Sequence, residues 1–200
     1  MIHLFFPKVI YEWIAFSYDQ KMFWRLHEES HPFSNIDFAP SITLGALKLG
    51  RYGSLWLFPI EHRSNGQSGK MSRSTNSYGA GYSYETRRSN WKFLGQIDAR
   101  KFYLNDPENQ DYNQYGDSYN LRLSIKRQYE TIEVGSTSDL SFSRLSNPRF
   151  SAWRQDLTLK FLKKGSWPLF VLESYLGYNE NFLSFRDYNF NLRGGISFQL

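Results

Sequence analysis

The chain has 200 residues, no cysteine and a formal net charge of +5. The length suits one domain, and the lack of cysteine excludes a disulfide-stabilised scaffold. The lysines and arginines are spread along the chain and form no run of like charge, so we expect no nucleic-acid partner. Aromatic residues make up 18% of the chain, which favours a β protein because these side chains fit a pleated sheet.

Apolar and polar residues alternate along most of the chain, which is the pattern of half-exposed β-strands. The last segment shows it best, since Tyr188, Phe190 and Leu192 share one face and the residues between them are polar. Turn-forming residues separate the alternating runs, and we predict ten strands. In chain order they cover residues 8–24, 34–47, 52–65, 73–87, 91–104, 116–127, 129–143, 150–163, 168–178 and 183–199.

Ten alternating strands fit either a soluble sandwich with its apolar faces inward or a transmembrane barrel with its apolar faces outward. Long strands, a charged opposite face and aromatic residues near the strand ends favour the membrane barrel. The charged positions are Asp98, Arg100, Arg122, Lys126, Arg154, Asp156 and Arg193. We therefore predict an all-β fold, an antiparallel transmembrane β-barrel that occupies residues 1–200 as a single domain.

One polar stretch, residues 61–77, interrupts the aromatic scaffold. Alternation places His62 and Ser64 on the face of Trp56 and Phe58, which meets lipid in a membrane barrel. Residues i and i+2 of a strand lie ~7 Å apart at Cα, so the imidazole can reach the hydroxyl. A turn then brings Asn76 beside His62 on the same face. This spacing fits a serine hydrolase and also fits an ordinary polar turn, but polar groups at membrane depth favour function.

Several motifs in this sequence resemble those of the bacterial outer-membrane phospholipase A family. They are the run HRSNG at residues 62–66, the run SRS at residues 72–74 before Asn76, the segments at 18–21 and 28–33, and the last strand at 187–191. The resemblance covers nearly the whole chain. It implies a calcium-dependent enzyme of the outer membrane that hydrolyses acyl esters of phospholipids and lysophospholipids and is active as a homodimer.

At the matching positions, the resemblance implies that Ser64 is the nucleophile, His62 the general base and Asn76 the third member of the triad. The backbone N–H of Gly66 is implied in the oxyanion hole. Gln20 stands on the lipid-facing side of the first predicted strand, where a lone polar residue favours a symmetric Gln–Gln contact across a dimer. The family implies the same role for Gln20, and the alternative is a glutamine that reaches water.

The resemblance also implies a calcium site. Its ligands would be the main-chain carbonyl of Gln67, the hydroxyl of Ser72 and, from the second copy of a dimer, the hydroxyl of Ser30. Gly69 and Lys70 stand where the family has an acidic residue and a proline. Because the loop between the catalytic positions then contains no carboxylate, we expect weak calcium affinity.

The family barrel has twelve strands, two more than we predict here. The first residues also lack the basic region and the cleavage site of a signal peptide. We expect that the family's signal peptide and first two strands are missing from this chain. Two alternatives to the enzyme stay open: an inactive structural barrel of the same family, and a soluble β-sandwich that binds an acidic polymer through its positive charge.

Overall fold

The computed structural model describes residues 11–24, 29–30, 33–49, 51–103, 105–162 and 169–197. In this part of the chain, ten antiparallel strands form one sheet, and each strand pairs with its neighbours in sequence. The strands are β1 Tyr11–Trp24, β2 Phe33–Leu49, β3 Gly53–Ser64, β4 Ser74–Arg88, β5 Trp91–Tyr103, β6 Tyr119–Gln128, β7 Ile132–Ser143, β8 Arg149–Phe161, β9 Leu169–Gly177 and β10 Asn189–Ser197. The described residues include no pairing between β10 and β1. The prediction of an all-β antiparallel fold is confirmed.

The sheet curves until its two ends approach each other. Lys21 of β1 donates from Nζ to the carbonyl oxygen of Glu180, in the loop after β9, at 2.7 Å. Asp37 of β2 accepts from the backbone N–H of Phe182, in the same loop, at 2.9 Å. A single curved sheet of this kind is barrel-like, and it excludes the sandwich alternative, which needs two packed sheets.

The concave face of the sheet is charged, as predicted. Arg122 and Arg154 both donate to Asp139, at 2.6 and 2.9 Å, and Arg193 is paired with Glu173. An interior cavity of about 310 Å³ lies among these side chains. Of the positions predicted to face inward, four line this cavity: Asp98, Arg100, Arg122 and Arg154. Lys126 and Asp156 line the adjoining cavity, and Arg193 forms the ion pair with Glu173.

The convex face is apolar and exposed. Its most exposed large side chains include Ile14, Phe16, Met22, Ile97, Leu123, Leu157, Leu172, Phe190, Leu192 and Ile196. The polarity of this sheet is therefore inverted relative to a water-soluble barrel, as expected of a wall that faces lipid.

Two bulky aromatic residues of β3 face inward, and β4 makes room for them. Trp56 stands directly opposite Gly81, and Phe58 stands opposite Gly79. A Cβ at either glycine would lie 2.2–2.3 Å from the facing ring. These glycines are therefore required by the close approach of the rings.

A register shift between Phe58 and Glu61 inverts the alternation of β3. Phe58 is 3% exposed, whereas Ile60, two residues later, is 42% exposed. The prediction that His62 and Ser64 continue the face of the preceding aromatic pair is therefore wrong, because a bulge adds a residue and moves the aromatic pair inward. His62 and Ser64 still face outward, since they follow the bulge.

The predicted strand boundaries hold within a few residues, except at the start of β10. The alternation predicts strand at residues 183–188, but residues 183–186 form a turn in which Asn181 accepts from the backbone N–H of Ser184 at 2.8 Å. The predicted strand residues 8–10, 104, 163, 168, 198 and 199 lie outside the described residues.

One end of the sheet carries longer loops than the other. There the β5–β6 loop and the β9–β10 loop bury an aromatic cluster, which we call the aromatic cap: Phe102, Tyr112, Phe182 and Phe185. Tyr112 is at its centre, with ring centroids 4.9–5.2 Å from the other three rings. No helix in the described part of the chain is long and apolar enough to cross a membrane.

Candidate active site

The residue pair at the centre of the candidate site is set by strand register. His62 of β3 lies directly opposite Asn76 of β4, and His62 Nδ1 lies 2.9 Å from Asn76 Oδ1. An amide oxygen can only accept, so Nδ1 carries the ring proton and donates it. In the neutral ring, Nε2 then has a lone pair, which is the form that a general base requires.

Ser64 is the last residue of β3 and lies two positions after His62 on the same outward face. Its neighbours across the sheet are Phe38 on β2 and Ser74 on β4. No hydrogen bond joins the Ser64 hydroxyl to His62 among the described residues. A serine and a histidine at this spacing can form that bond through side-chain rotation, as often happens when substrate binds.

The turn after Ser64 is held by Asn65, a residue that sequence reasoning did not single out. Asn65 is 2% exposed. Its amide group donates to the carbonyl of Met71 at 2.8 Å, and its Oδ1 accepts from the backbone N–H groups of Gln67 and Arg73 at 3.3 and 2.9 Å. Asn65 therefore fixes the path of the whole turn. An asparagine beside a glycine marks a turn in the sequence, but these partners are visible only in three dimensions.

Gly66 follows Asn65 with φ +62°, a conformation that favours glycine. A Cβ here would also lie 2.9 Å from the Phe38 ring. Its N–H has no acceptor among the described residues and lies two residues after Ser64.

A carboxylate that sequence reasoning missed lies beside Ser72. The Ser72 hydroxyl donates to Oδ2 of Asp106, in the β5–β6 loop, at 2.7 Å. Asp106 Oδ1 accepts from the backbone N–H of Glu108 at 2.9 Å. The bond from Glu108 and then that from Ser72 hold the pKa of Asp106 below its ordinary value. The expectation of weak calcium affinity considered only the β3–β4 loop, whereas the next loop supplies a charged oxygen.

The other two predicted calcium ligands, Gln67 and Ser30, are not brought together with Ser72 in this structure. Gln67 and Ser30 form no hydrogen bond with Ser72 or Asp106 in the described part of the chain, and Ser30 lies exposed in the β1–β2 turn with φ +66°. No group of three or more His, Cys, Asp or Glu residues that could hold a metal occurs within the described ranges.

Gln20 is exposed on the outward face of β1, opposite Phe38. It already has a partner in its own chain, because the Tyr18 hydroxyl donates to Gln20 Oε1 at 3.0 Å. The amide NH₂ has no acceptor among the described residues. Within one chain, the amide oxygen of Gln20 therefore has a hydrogen-bond partner and its amide NH₂ stays available for a second copy.

Comparison with known proteins identifies the family. The family model described as Phospholipase A1 matches residues 5–200. The chain belongs to the phospholipase A1 family. It is 28% identical over 204 residues to the Phospholipase A1 proteins of Escherichia coli K12 and Shigella flexneri, covering 92% of this chain and 61% of each relative. The chain thus spans about three fifths of the length of the curated relatives that it matches.

Solved structures share the fold. Outer membrane phospholipase A from Escherichia coli superposes with a TM-score of 0.70 at 21% identity, over 93% of this chain and 70% of that one. The calcium-bound dimer of the Salmonella typhi outer membrane phospholipase gives 0.69 at 20% identity, with the same coverage. An asparagine-to-alanine active-site mutant of the Escherichia coli protein also matches. With these neighbours, the predicted transmembrane barrel fold is confirmed.

Proposed function

We propose that this phospholipase A1 family chain hydrolyses acyl ester bonds of phospholipids with Ser64 as nucleophile, His62 as general base and Asn76 as the residue that orients the base. The observation that carries the proposal is the 2.9 Å contact between His62 Nδ1 and Asn76 Oδ1, two positions from a serine on the same face. The structural neighbour from Escherichia coli with an active-site asparagine replaced by alanine supports the third role.

The reaction follows from these groups. Nε2 of His62 takes the proton as Ser64 Oγ attacks the ester carbonyl, and the same proton then leaves with the released alcohol. Water, activated by His62 in turn, releases the fatty acid from Ser64. Asn76 keeps the ring in the required tautomer but adds no negative charge to stabilise the imidazolium, so the oxyanion must be stabilised from elsewhere.

Two groups would stabilise the oxyanion. The first is the N–H of Gly66, held by the turn that Asn65 fixes. The second is a calcium ion bound by the Gln67 carbonyl, Ser72 Oγ and Asp106, which would add positive charge beside the oxyanion.

The chemistry of these residues fits calcium. Calcium prefers hard oxygen ligands and six to eight of them, so protein groups must be completed by water or by a second chain. Ser72 Oγ and Asp106 Oδ2 already lie 2.7 Å apart, and the lowered pKa keeps Asp106 ionised. Ser30 of a second copy would complete the site, and the calcium-bound dimer of the Salmonella typhi neighbour supports this arrangement.

The position of the site suits a membrane substrate. His62 and Ser64 face outward at the end of the sheet with the longer loops, which in outer-membrane barrels is the extracellular end. A phospholipid could therefore enter from the bilayer without leaving it. Dimerisation through the Gln20 face of β1 would bring a second wall beside the site, because Gln20, Phe38 and Ser64 occupy one row across three strands.

Ester hydrolysis in mixed detergent–phospholipid micelles tests the proposal. Ser64→Ala should abolish hydrolysis, and a calcium chelator should do the same to the unchanged chain. Ser68→Ala is the matched control, since Ser68 is an exposed serine of the same turn and should leave the rate within about twofold. Full activity of Ser64→Ala would refute the mechanism. A folded chain without activity in any condition would favour the structural-barrel alternative.

A further inference from the structure

Two arginines and a tryptophan lie side by side on the outward face of the sheet, at the end with the short turns. Arg88 of β4 pairs with Trp91 of β5, and Trp91 pairs with Arg127 of β6. The three residues therefore form one row across three strands, with an indole between two guanidinium groups. Adjacent strands are ~4.8 Å apart, so the two arginine Cα atoms are separated by roughly 10 Å.

Aromatic contacts hold Arg127, while acidic groups do not. Its guanidinium lies 4.9 Å from the Trp91 ring centroid and 4.8 Å from that of Tyr129. In the described residues, neither Arg88 nor Arg127 has a carboxylate partner, whereas nearby Arg87 and Lys92 both pair with Glu85. Arg88 and Arg127 are exposed. Two unneutralised guanidinium groups at a membrane interface are suited to an anionic oxygen cluster such as a phosphate.

An apolar groove begins beside this arginine pair and runs along the wall towards mid-membrane. Trp91 stacks on Phe93, with ring centroids 6.1 Å apart. Beyond Phe93 the groove has a volume of about 390 Å³ and is lined by Gly95, Leu123 and Ile125, among others. The groove is open at this point because Gly95 has no side chain. A Cβ there would meet only Leu123 Cδ2, at 3.9 Å, so the position is open to lipid.

We propose that this row and groove bind one anionic phospholipid, with its phosphate between Arg88 and Arg127 and an acyl chain in the groove at Gly95. The charge of the row selects the occupant. A neutral hydrocarbon offers no counter-charge, and a zwitterionic lipid offers a phosphate whose charge is offset by the cationic group of its own head. The site is distinct from the proposed catalytic site. It lies at the opposite end of β5, roughly 40 Å along the strand from the residue that pairs with Asn76.

Native mass spectrometry of the full chain in detergent measures this binding directly. The chain carries Ser64→Ala, which protects the probe from hydrolysis, and phosphatidylglycerol is titrated. An arginine beside the bound phosphate is worth about fivefold in affinity, so Arg88→Gln with Arg127→Gln should weaken binding of the most tightly bound lipid roughly 25-fold. Gly95→Leu keeps both charges and fills the groove, and it should weaken binding roughly tenfold, as if two methylene groups were displaced.

The matched control is Arg51→Gln with Arg87→Gln, which removes the same charge from exposed arginines at the same end. It should change the affinity by less than about threefold. An equal loss in both double variants would overturn the proposal in favour of diffuse charge attraction. Equal affinity for phosphatidylcholine, or an unchanged affinity in Gly95→Leu, would overturn it as well.

A fluorescence measurement checks the location of the lipid without altering any charge. Phosphatidylglycerol brominated on its acyl chain should quench the Ser64→Ala chain more strongly than the same chain with Trp91→Phe, because Trp91 borders the groove. Identical quenching of the two chains would place the lipid elsewhere and refute the site. Neither experiment depends on catalysis, so their outcome is independent of the proposed hydrolase function.

Discussion

Arg63 donates from Nη1 to the hydroxyl of Tyr112 at 2.9 Å. Arg63 stands between His62 and Ser64 but points to the opposite side of β3, into the interior. The Tyr112 hydroxyl in turn donates a hydrogen bond to Asn179 Oδ1, in the β9–β10 loop, at 3.2 Å. The strand segment that carries the candidate catalytic pair is thus tied to the aromatic cap beneath it. Burial raises the pKa of Tyr112 to about 12, so its hydroxyl keeps its proton and this role at neutral pH.

Tyr112→Phe should weaken this attachment. It removes the acceptor of Arg63 and leaves a buried cation without its neutral partner, at a cost of about 1–3 kcal/mol in unfolding free energy. We expect kcat to fall while KM changes little, because the catalytic strand loses its support and the outward lipid-contact surface is unaltered. Tyr115→Phe is the control, since Tyr115 packs against the same cluster and its hydroxyl makes no described hydrogen bond. Equal effects of the two variants would contradict a specific anchoring role.

Asn76→Ala should lower kcat by roughly 10- to 100-fold, the loss expected when the imidazole is no longer oriented by a hydrogen bond. Asn76→Asp keeps an acceptor at the same place and should recover most of that loss. The measurement is steady-state hydrolysis of a phospholipid in mixed micelles, with folding of each variant checked by circular dichroism. An alanine variant as active as the unchanged chain would contradict the orienting role.

Asp106→Asn should weaken calcium binding by roughly tenfold, because affinity follows the charge of the ligand set. The asparagine keeps an oxygen that can accept from the backbone N–H of Glu108, so the loop should keep its conformation. Glu108→Gln is the control for charge in the same loop and should change affinity little. Calorimetric titration of calcium into the micellar protein measures both. An unchanged affinity in Asp106→Asn would remove this carboxylate from the site.

The pairing of Asp111 with Arg186 predicts a pH dependence outside the membrane. Arg186 donates to both carboxylate oxygens of Asp111, at 2.6 and 2.8 Å, and holds its pKa below the ordinary value. A lowered carboxyl pKa gives stability that is fully present above the ordinary aspartate pKa and is lost as the pH falls through the lowered value. Asp111→Asn should therefore melt earlier than the unchanged chain at pH 7. The difference should shrink below the ordinary aspartate range, and a difference that grows on acidification would contradict the pairing.

The strand pattern and the pairing of His62 with Asn76 could be predicted from sequence, because alternation is a local signal and β3 and β4 are consecutive antiparallel strands. The inward orientation of Trp56 and Phe58 could not be predicted, because a β-bulge leaves no clear mark in the alternation of apolar and polar residues. The glycines opposite these rings, Gly79 and Gly81, were the available signal, since paired small residues on one face suggest a bulky neighbour.

Other parts of the candidate site depend on contacts between distant segments. Asp106 reaches Ser72 from 34 residues away. From sequence, Asn65 looks like an ordinary turn residue, because its three backbone hydrogen bonds are visible only in the folded structure. The roles of Gly66, Gln67 and Ser30 rest on family resemblance, and that of Gln20 rests also on its position as a lone polar residue of the lipid-facing side. All four stay predictions, since no distance within one chain tests a shared calcium site or a dimer contact.

Covalent labelling with a serine-reactive fluorophosphonate tests the central claim most directly. The account predicts one adduct per folded chain, on the peptide that contains Ser64. The adduct should be absent in Ser64→Ala, unchanged in Ser68→Ala and formed far more slowly in His62→Ala. An adduct on another serine, or an equal labelling rate in His62→Ala, would contradict the assignment of Ser64 as a nucleophile activated by His62.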